Sequence, residues 1–183
     1  MLHEQTNEKF HNTKNNFSLN NYCHRNTYFQ RVNEMKTHDI EIEMQKINWK
    51  EFEKSVADIF HQNEFILKKN FRFKTKRRSE IDLIASRYGI IFCIDCKQWG
   101  KGRYKISGLK KAVKDQENRV KELGKFLKTN PIARSMLKLN LNSQKFYPLI
   151  VTLCEEEIVK EHNTYIIPVW KLNSFLLEVE NFL

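Results

Sequence analysis

The order of hydrophobic and polar residues predicts alternating helices and strands from about residue 48 onward. In the segment NWKEFEKSVADIF, apolar residues recur at helical spacing, and Asn48 stands where an N-cap is expected. Two apolar runs follow, EIDLIAS and GIIFCIDCK, and the letters RYG between them predict a hairpin with Gly89 in its turn. We therefore expect two adjacent strands that both lie centrally in a sheet.

The segments on either side of this hairpin also have clear patterns. Ahead of it, EFILKKNFRFKT predicts a strand that leads into the basic loop KTKRR. After it, SGLKKAVKDQENRVKELGKFL carries apolar residues at helical spacing, which predicts a long helix. Gln116 falls on the apolar stripe of this helix, and we expect its side chain to be capped or half-exposed, with an approach to the active site or to DNA as the alternative.

The last third of the chain predicts a smaller set of elements. TNPIARSMLKLNL predicts a short helix with Pro131 at its first position. FYPLIVTL predicts a returning strand, and YIIPV predicts an edge strand, because Pro168 cannot donate a hydrogen bond to a neighbouring strand. KLNSFLLEVENFL predicts a closing amphipathic helix.

The first forty residues differ from the rest. Residues 1–40 are rich in Asn and other polar residues and show no apolar periodicity, so we expect a polar, flexible N-terminal arm. Residues 41–183 then form one globular domain. No apolar run approaches the length of a membrane span, and the N-terminus lacks a signal-peptide pattern. We expect a soluble, cytoplasmic protein with no membrane partner.

The formal net charge of +10 is concentrated in two segments. Lys68–Arg78 and Lys97–Lys114 each carry seven basic residues and no acidic residue, whereas the rest of the chain holds more acidic than basic residues. The two segments lie on either side of a short acidic stretch. This pattern favours a polyanion such as nucleic acid, bound against a site that also holds cations. For either segment alone, a solvated lysine-rich surface is the alternative.

Charged residues interrupt the two predicted central strands. Asp82 lies in the first strand, and Asp95 and Lys97 lie at the end of the second, on the same strand face. An isolated buried charge is too costly to keep, so these residues need partners. Two carboxylates from adjacent strands make a hard oxygen site suited to Mg²⁺. The alternative is an Asp–Lys salt bridge with a structural role only.

The four cysteines do not indicate zinc. In CIDC, Cys93 and Cys96 point to opposite strand faces, so the two thiols cannot easily share one ion, and the sequence has no second pair of this kind. We interpret them as small core residues and free thiols.

Glu53 lies on or beside the apolar stripe of the first predicted helix, so its carboxylate is expected to face inward. An edge carboxylate that reaches water is the alternative. Together with Asp82 in EIDLIA and with Asp95, Cys96 and Lys97 in DCK, the order of these residues resembles the PD-(D/E)XK nuclease superfamily. Within it, the chain is most similar to restriction-endonuclease-like proteins of the Mrr and archaeal Holliday-junction-resolvase type. This resemblance implies an α/β fold with a mixed central sheet flanked by helices, in the core order αβββαβ.

The resemblance also implies a function and a metal site. The expected activity is endonucleolytic hydrolysis of DNA phosphodiester bonds with Mg²⁺, for which Mn²⁺ can substitute, on junction or branched DNA or in restriction or repair. Asp82 and Asp95 would bind the metal, with the Cys96 backbone carbonyl as a further ligand. Lys97 would position the attacking water, and Gln98 would support the metal or its water. Glu53 would hold a second metal or an outer-shell water, with Glu80 as its competitor.

The basic residues are the expected DNA contacts. They would bind phosphates without reading sequence, and they are Lys74, Lys76, Arg77, Arg78, Lys101, Arg103 and Lys105. Trp99 and Tyr104 are candidates for base stacking, with ordinary packing as the alternative. The resemblance further implies a homodimer.

Two other classes of function stay open on the sequence. One is a nuclease-fold module that binds nucleic acid without catalysis, although an intact Asp82, Asp95 and Lys97 set argues against it. The other is a protein unrelated to nucleases whose basic loops bind RNA or acidic partners. In that case the Asp and Lys residues would form a structural pair.

Overall fold

The computed structural model describes residue 42 and residues 46–99, 105–138 and 145–182, with the Lys105 side chain left out. The predicted N-terminal arm lies outside the described residues, so the domain division near residue 40 stays a prediction. Among the described helices, none is long and apolar enough to cross a membrane.

The predicted elements are all present, with small shifts at their ends. In chain order the described elements, which include the unpredicted strand β5, are α1 (Trp49–Gln62), β1 (Ile66–Lys74), β2 (Arg78–Arg87), β3 (Ile90–Lys97), α2 (Lys105–Thr129), α3 (Pro131–Met136), β4 (Lys145–Thr152), β5 (Lys160–Glu161), β6 (Thr164–Pro168), α4 (Val169–Leu177) and a closing 3-10 turn (Val179–Asn181).

Local sequence signals explain where the first elements begin and turn. Asn48 caps α1 in a reciprocal capping box with Glu51, as its side chain predicted. The β2–β3 hairpin turns at Tyr88 and Gly89, whose φ angles are 46° and 86°. Two successive positive φ angles are what a tight hairpin turn requires, so the predicted turn is confirmed.

The strands form one six-stranded mixed sheet in the order β1-β2-β3-β4-β6-β5. The first three strands are antiparallel, β3 and β6 both run parallel to β4, and β5 is antiparallel to β6. As predicted, β2 and β3 are central. This mixed sheet with flanking helices is the expected α/β fold and is compatible with a restriction-endonuclease-like fold.

One strand prediction was wrong. The segment YIIPV does not form the edge, because β5 pairs with the start of β6 at Thr164 and Tyr165. Pro168 is nevertheless tolerated, since it lies at the end of β6 beyond the residues that β5 reaches. A two-residue strand carries too little pattern to be recognised in a sequence.

The two faces of β3 contact different helices. Phe92 packs among aromatic rings of α1 and α4, including Phe60 at 5.9 Å and Phe175 at 6.0 Å between ring centroids. Cys93, the next residue, packs on the opposite face against α2. We call this second cluster the α2-side core; its members are Phe71, Phe73, Ile81, Ile84, Ile91, Cys93, Val120, Leu123, Leu127, Ala133 and Leu137.

Candidate active site

A break in the regular sheet surrounds Asp82. Pairing of β2 with β3 ends at Leu83 and Ile94, so Asp82 has no paired residue on β3. Pairing with β1 skips the same position, opposite Asn70, which has a φ of 49°. Ile81 and Ile84 both pack in the α2-side core, although residues three apart in a regular strand face opposite sides. Side-chain alternation is therefore interrupted at Asp82.

The interruption directs the Asp82 carboxylate toward the end of β3. Its Oδ2 accepts a hydrogen bond from the backbone N–H of Cys96 at 2.8 Å. Burial raises the pKa of Asp82, and the nearby charge of Asp95 raises it further, while the hydrogen bond from Cys96 acts in the opposite direction. A positive charge bound here would relieve the repulsion between the two carboxylates.

Asp95 is almost completely buried, with 2% of its surface exposed, and it lies between two cations. Lys97 Nζ is 2.8 Å from Oδ2, as expected for residues on the same strand face. Arg119 Nη2 donates a hydrogen bond to Oδ1 at 3.0 Å. Sequence reasoning missed Arg119. The available signal was its position three residues after Gln116, which puts both side chains on one face of α2.

The structure corrects the expectation for Gln116. This side chain is 0% exposed rather than half-exposed, and its Nε2 donates a hydrogen bond to the Cys93 carbonyl at 2.7 Å. The correction has a simple physical reason. The apolar stripe of α2 packs directly on β3, and a polar residue on that stripe can be buried if a main-chain group accepts its proton.

Glu53 lies near the same group of charges but is only partly buried. Burial raises its pKa, and the charges of Asp82 and Glu80 raise it further, while a hydrogen bond from Trp49 lowers it. Glu80, its predicted competitor, forms an ion pair with Arg72 at 2.9 Å near the surface. Both metal-binding roles stay predictions; of the two residues, Glu53 has no ion pair with another described residue.

The residues after Lys97 have structural contacts. The Gln98 side chain donates a hydrogen bond to the carbonyl of Ile47, which ties the end of β3 to the start of α1. Trp99 is partly buried against a cluster of side chains from α2, β4 and β6 that includes Leu109, and Lys97 Nζ lies 5.9 Å from the centre of its ring. The predicted role of Gln98 near a metal is untested, and Trp99 packs within the protein.

The donor set fits a hard divalent cation. Among the described residues, no three His, Cys, Asp or Glu side chains are grouped to hold a metal ion. The ligands expected from the sequence, Asp82 and Asp95, are two carboxylates. One or two carboxylates plus water is the usual protein coordination of Mg²⁺. Asp95 Oδ2 is buried, and Lys97 lies close to it without a well-aligned hydrogen bond, so its lone pairs are not saturated. The Cys96 carbonyl stays a predicted ligand.

A basic hairpin lies next to these strands. Lys74 and Arg78 pair at its end, and Lys76 and Arg77 lie in the turn; all four are exposed. Lys74 and Arg78 border an open cavity of about 670 Å³ that Phe73 and Phe126 also line. Of the other predicted DNA contacts, Lys101 and Arg103 lie outside the described residues, as do Tyr104 and the Lys105 side chain.

Comparison with known proteins assigns the family. Residues 48–153, more than half of the chain, match the nuclease-related domain family, NERD. The chain belongs to the NERD family. The matched region runs from the α1 cap to the residue after β4 and contains Glu53, Asp82, Asp95, Lys97 and Arg119. NERD membership is consistent with a PD-(D/E)XK-like nuclease superfamily and makes the protein nuclease-related; it does not select the Mrr or resolvase type.

Two individual proteins are similar to this NERD chain. An uncharacterized protein of Archaeoglobus fulgidus is 28% identical over 138 residues, which cover 75% of this chain and 95% of that protein. The crystal structure of a protein of unknown function aligns with 17% identity and a TM-score of 0.39. That alignment covers 71% of this chain and 66% of the other, just under two thirds.

Proposed function

We propose that this NERD protein is a Mg²⁺-dependent endonuclease that hydrolyses DNA phosphodiester bonds. One observation carries the proposal: Asp82 and Asp95, from neighbouring strands, converge at the end of β3 beside the ammonium group of Lys97. Buried carboxylates that repel each other are costly to the fold, which favours a role in binding a cation. The family assignment supports the same reaction class.

The chain's own residues would divide the work. Asp82 and Asp95 hold the metal, which when bound supplies Lewis-acid stabilisation of the phosphate and a more acidic water. Lys97 orients the attacking water and stabilises negative charge that develops on the phosphate. Glu53 holds an outer-shell water. The hairpin residues Lys74, Lys76, Arg77 and Arg78 bind the DNA backbone through its phosphates.

The finer features of the substrate belong to the same proposal. Phosphate contacts carry no sequence information, so a hairpin of this composition suits recognition by shape, such as branched or junction DNA. A homodimer would place one active site on each of two DNA strands of such a substrate.

A second function has a specific observation in its favour. Both carboxylate oxygens of Asp95 already have a cationic partner, so the charges can balance without a metal. A module that keeps the fold and binds nucleic acid without cutting it would retain such a pair. The nuclease requires a divalent metal and Lys97 for cleavage, whereas the binding module binds DNA without cutting it.

Cleavage of labelled DNA separates them. Linear duplex, single-stranded and four-way-junction DNA are incubated with the full chain and Mg²⁺ or Mn²⁺, with EDTA as a control. We expect metal-dependent cutting, reduced about a hundredfold or more in Lys97→Ala, since loss of one group that stabilises transition-state charge commonly has this effect. Preference for the junction would support structure-specific cleavage.

Lys145→Ala is the matched control, because Lys145 is an exposed lysine at the start of β4 and pairs with Ile90, at the opposite end of β3 from Lys97. Its cleavage rate should stay close to that of the wild type. Equal binding of DNA by wild type and Lys97→Ala, with no cutting by either in any metal, would contradict the nuclease proposal and support the binding module.

A further inference from the structure

The contacts of Asp95 raise a question that the proposed nuclease chemistry leaves open. A single buried carboxylate has two full positive charges within 3.0 Å, from Lys97 and Arg119. Lys97 has a role in the proposed reaction. Arg119 has none so far, although 26% of its side chain is exposed and its guanidinium reaches the same carboxylate.

The position of Arg119 is imposed by the fold around it. Gln116, one turn earlier on the same face of α2, binds the backbone of β3 through the Cys93 carbonyl. This contact sets the register of the helix against the strand, and it brings Arg119 opposite Asp95. An arginine held in this way loses little additional side-chain entropy when it binds a carboxylate, which favours a persistent ion pair.

The charges around the site suggest what the arginine does. Glu53, Asp82 and Asp95 contribute three negative charges when ionised, and Lys97 and Arg119 contribute two positive charges. One divalent ion together with one phosphodiester brings this group to neutrality. A second divalent ion would leave it with an excess of two positive charges in a partly buried place, which is unfavourable.

We propose that Arg119 is a positioning residue that serves as a built-in second cation: it orients Asp95 and limits the site to one divalent ion. The inference rests on the proposed nuclease function. The ligand set agrees with this limit, because no three carboxylate, histidine or cysteine side chains of the described residues are grouped to hold a metal ion, and two carboxylates suit one ion that keeps its waters.

Mn²⁺ binding tests this inference without any cleavage assay. The full chain is titrated with Mn²⁺ alone, and free Mn²⁺ is measured by electron paramagnetic resonance. Wild type should bind one ion per chain at this site. Arg119→Met should bind Mn²⁺ about tenfold more tightly, because a positive charge next to the ion has been removed, even though cleavage is weaker. Arg119→Lys should keep one ion and an affinity within about threefold of the wild type.

Lys121→Met is the matched control for charge removal, because Lys121 is an exposed residue of the same helix. Its Mn²⁺ affinity should be close to that of the wild type. Two ions bound per wild-type chain would overturn the inference. Unchanged or weaker binding in a folded Arg119→Met variant would also overturn it, since a merely structural ion pair predicts loss of both binding and activity. If Arg119→Met does not fold, the inference is still tested by the number of Mn²⁺ ions that the wild type binds and by the Mn²⁺ affinity of Arg119→Lys.

Failure of the proposed function gives a different result. Asp82→Ala is titrated in parallel, and it should lose the bound Mn²⁺. Wild-type protein that binds no Mn²⁺, or Asp82→Ala that binds as wild type does, would reject the metal site itself, and Arg119 would then have no ion to limit. One ion that depends on Asp82 but is insensitive to Arg119 would reject the inference alone.

Discussion

The two halves of β3 are buried to the same extent by different means. In the first half, Phe92 is 0% exposed and is surrounded by aromatic rings from α1, β4 and α4. In the second half, Asp95 is 2% exposed and is surrounded by charges. Burial of an aromatic ring favours folding, whereas burial of a charge opposes it unless partners compensate.

This difference separates the residues that stabilise the protein from those kept for chemistry. The aromatic half needs only shape and apolar surface, so it stabilises the sheet without any particular partner charge. The charged half depends on groups from several elements: Asp82 on β2, Lys97 on β3 and Arg119 on α2. Variants of the aromatic half should therefore lower stability and leave metal binding intact. Variants of the charged half should lower activity without lowering stability.

The largest effect on stability is expected from Phe92→Ala. Removing a fully buried aromatic ring leaves a cavity and should lower the free energy of unfolding by about 3–5 kcal/mol. Phe92 lies on the opposite face of β3 from Asp95 and Lys97, so the fraction of protein that remains folded should still bind Mn²⁺. Urea unfolding measures the first quantity, and Mn²⁺ titration at low urea measures the second.

Tyr88→Ala is the control for this variant, because Tyr88 is an aromatic residue of the same hairpin that is 85% exposed. Its stability should stay close to that of the wild type. A small effect of Phe92→Ala would mean that the aromatic half does not dominate the stability of the sheet.

Asp82→Asn should change activity and stability in opposite directions. The amide keeps an acceptor for the Cys96 N–H but removes the charge, so metal-dependent cleavage should fall by about a hundredfold or more. Without metal, the melting temperature should rise, because burial and Asp95 disfavour the ionised carboxylate and raise its pKa.

The pH dependence follows from the sign of that shift. An acid whose pKa is raised in the folded state binds more protons folded than unfolded, so its ionisation reduces stability as pH rises through the folded pKa. The melting-temperature difference between Asp82→Asn and wild type in EDTA should therefore be larger at pH 8 than at acid pH, where Asp82 is neutral in both states. A lower melting temperature for the variant at pH 8 would contradict this account of the charged half.

The smallest effect is expected at Asn70, opposite the interruption at Asp82. Its φ of 49° is tolerated by Asn and Gly but disfavoured for other residues. Asn70→Ala should lower the free energy of unfolding by about 1 kcal/mol, and Asn70→Gly should be close to neutral. Urea unfolding measures both. If Asn70→Ala also weakens Mn²⁺ binding while Asn70→Gly does not, the strand interruption contributes to the position of Asp82; equal stability of the two variants would count against backbone strain here.

Much of the fold was accessible from sequence patterns because the signals are local. The Asn48 cap, the Tyr88–Gly89 turn and the apolar runs of β2 and β3 each depend on neighbouring residues. The shared face of Asp95 and Lys97 also follows from strand geometry alone. The β6 edge prediction failed because β5 has only two residues, and the Gln116 prediction failed because its partner, a main-chain carbonyl, leaves no trace in the sequence.

By itself, the sequence determined the element types, the charge of the hairpin and the carboxylate–lysine set, since periodicity and residue chemistry act over a few positions. Tertiary structure alone decided the rest of the candidate site. The ion pair of Arg119 with Asp95 joins residues 24 positions apart, and the hydrogen bond from the Cys96 N–H to Asp82 depends on an interrupted strand. Both contacts arise because a buried charge must find a partner wherever the packed elements bring one within reach.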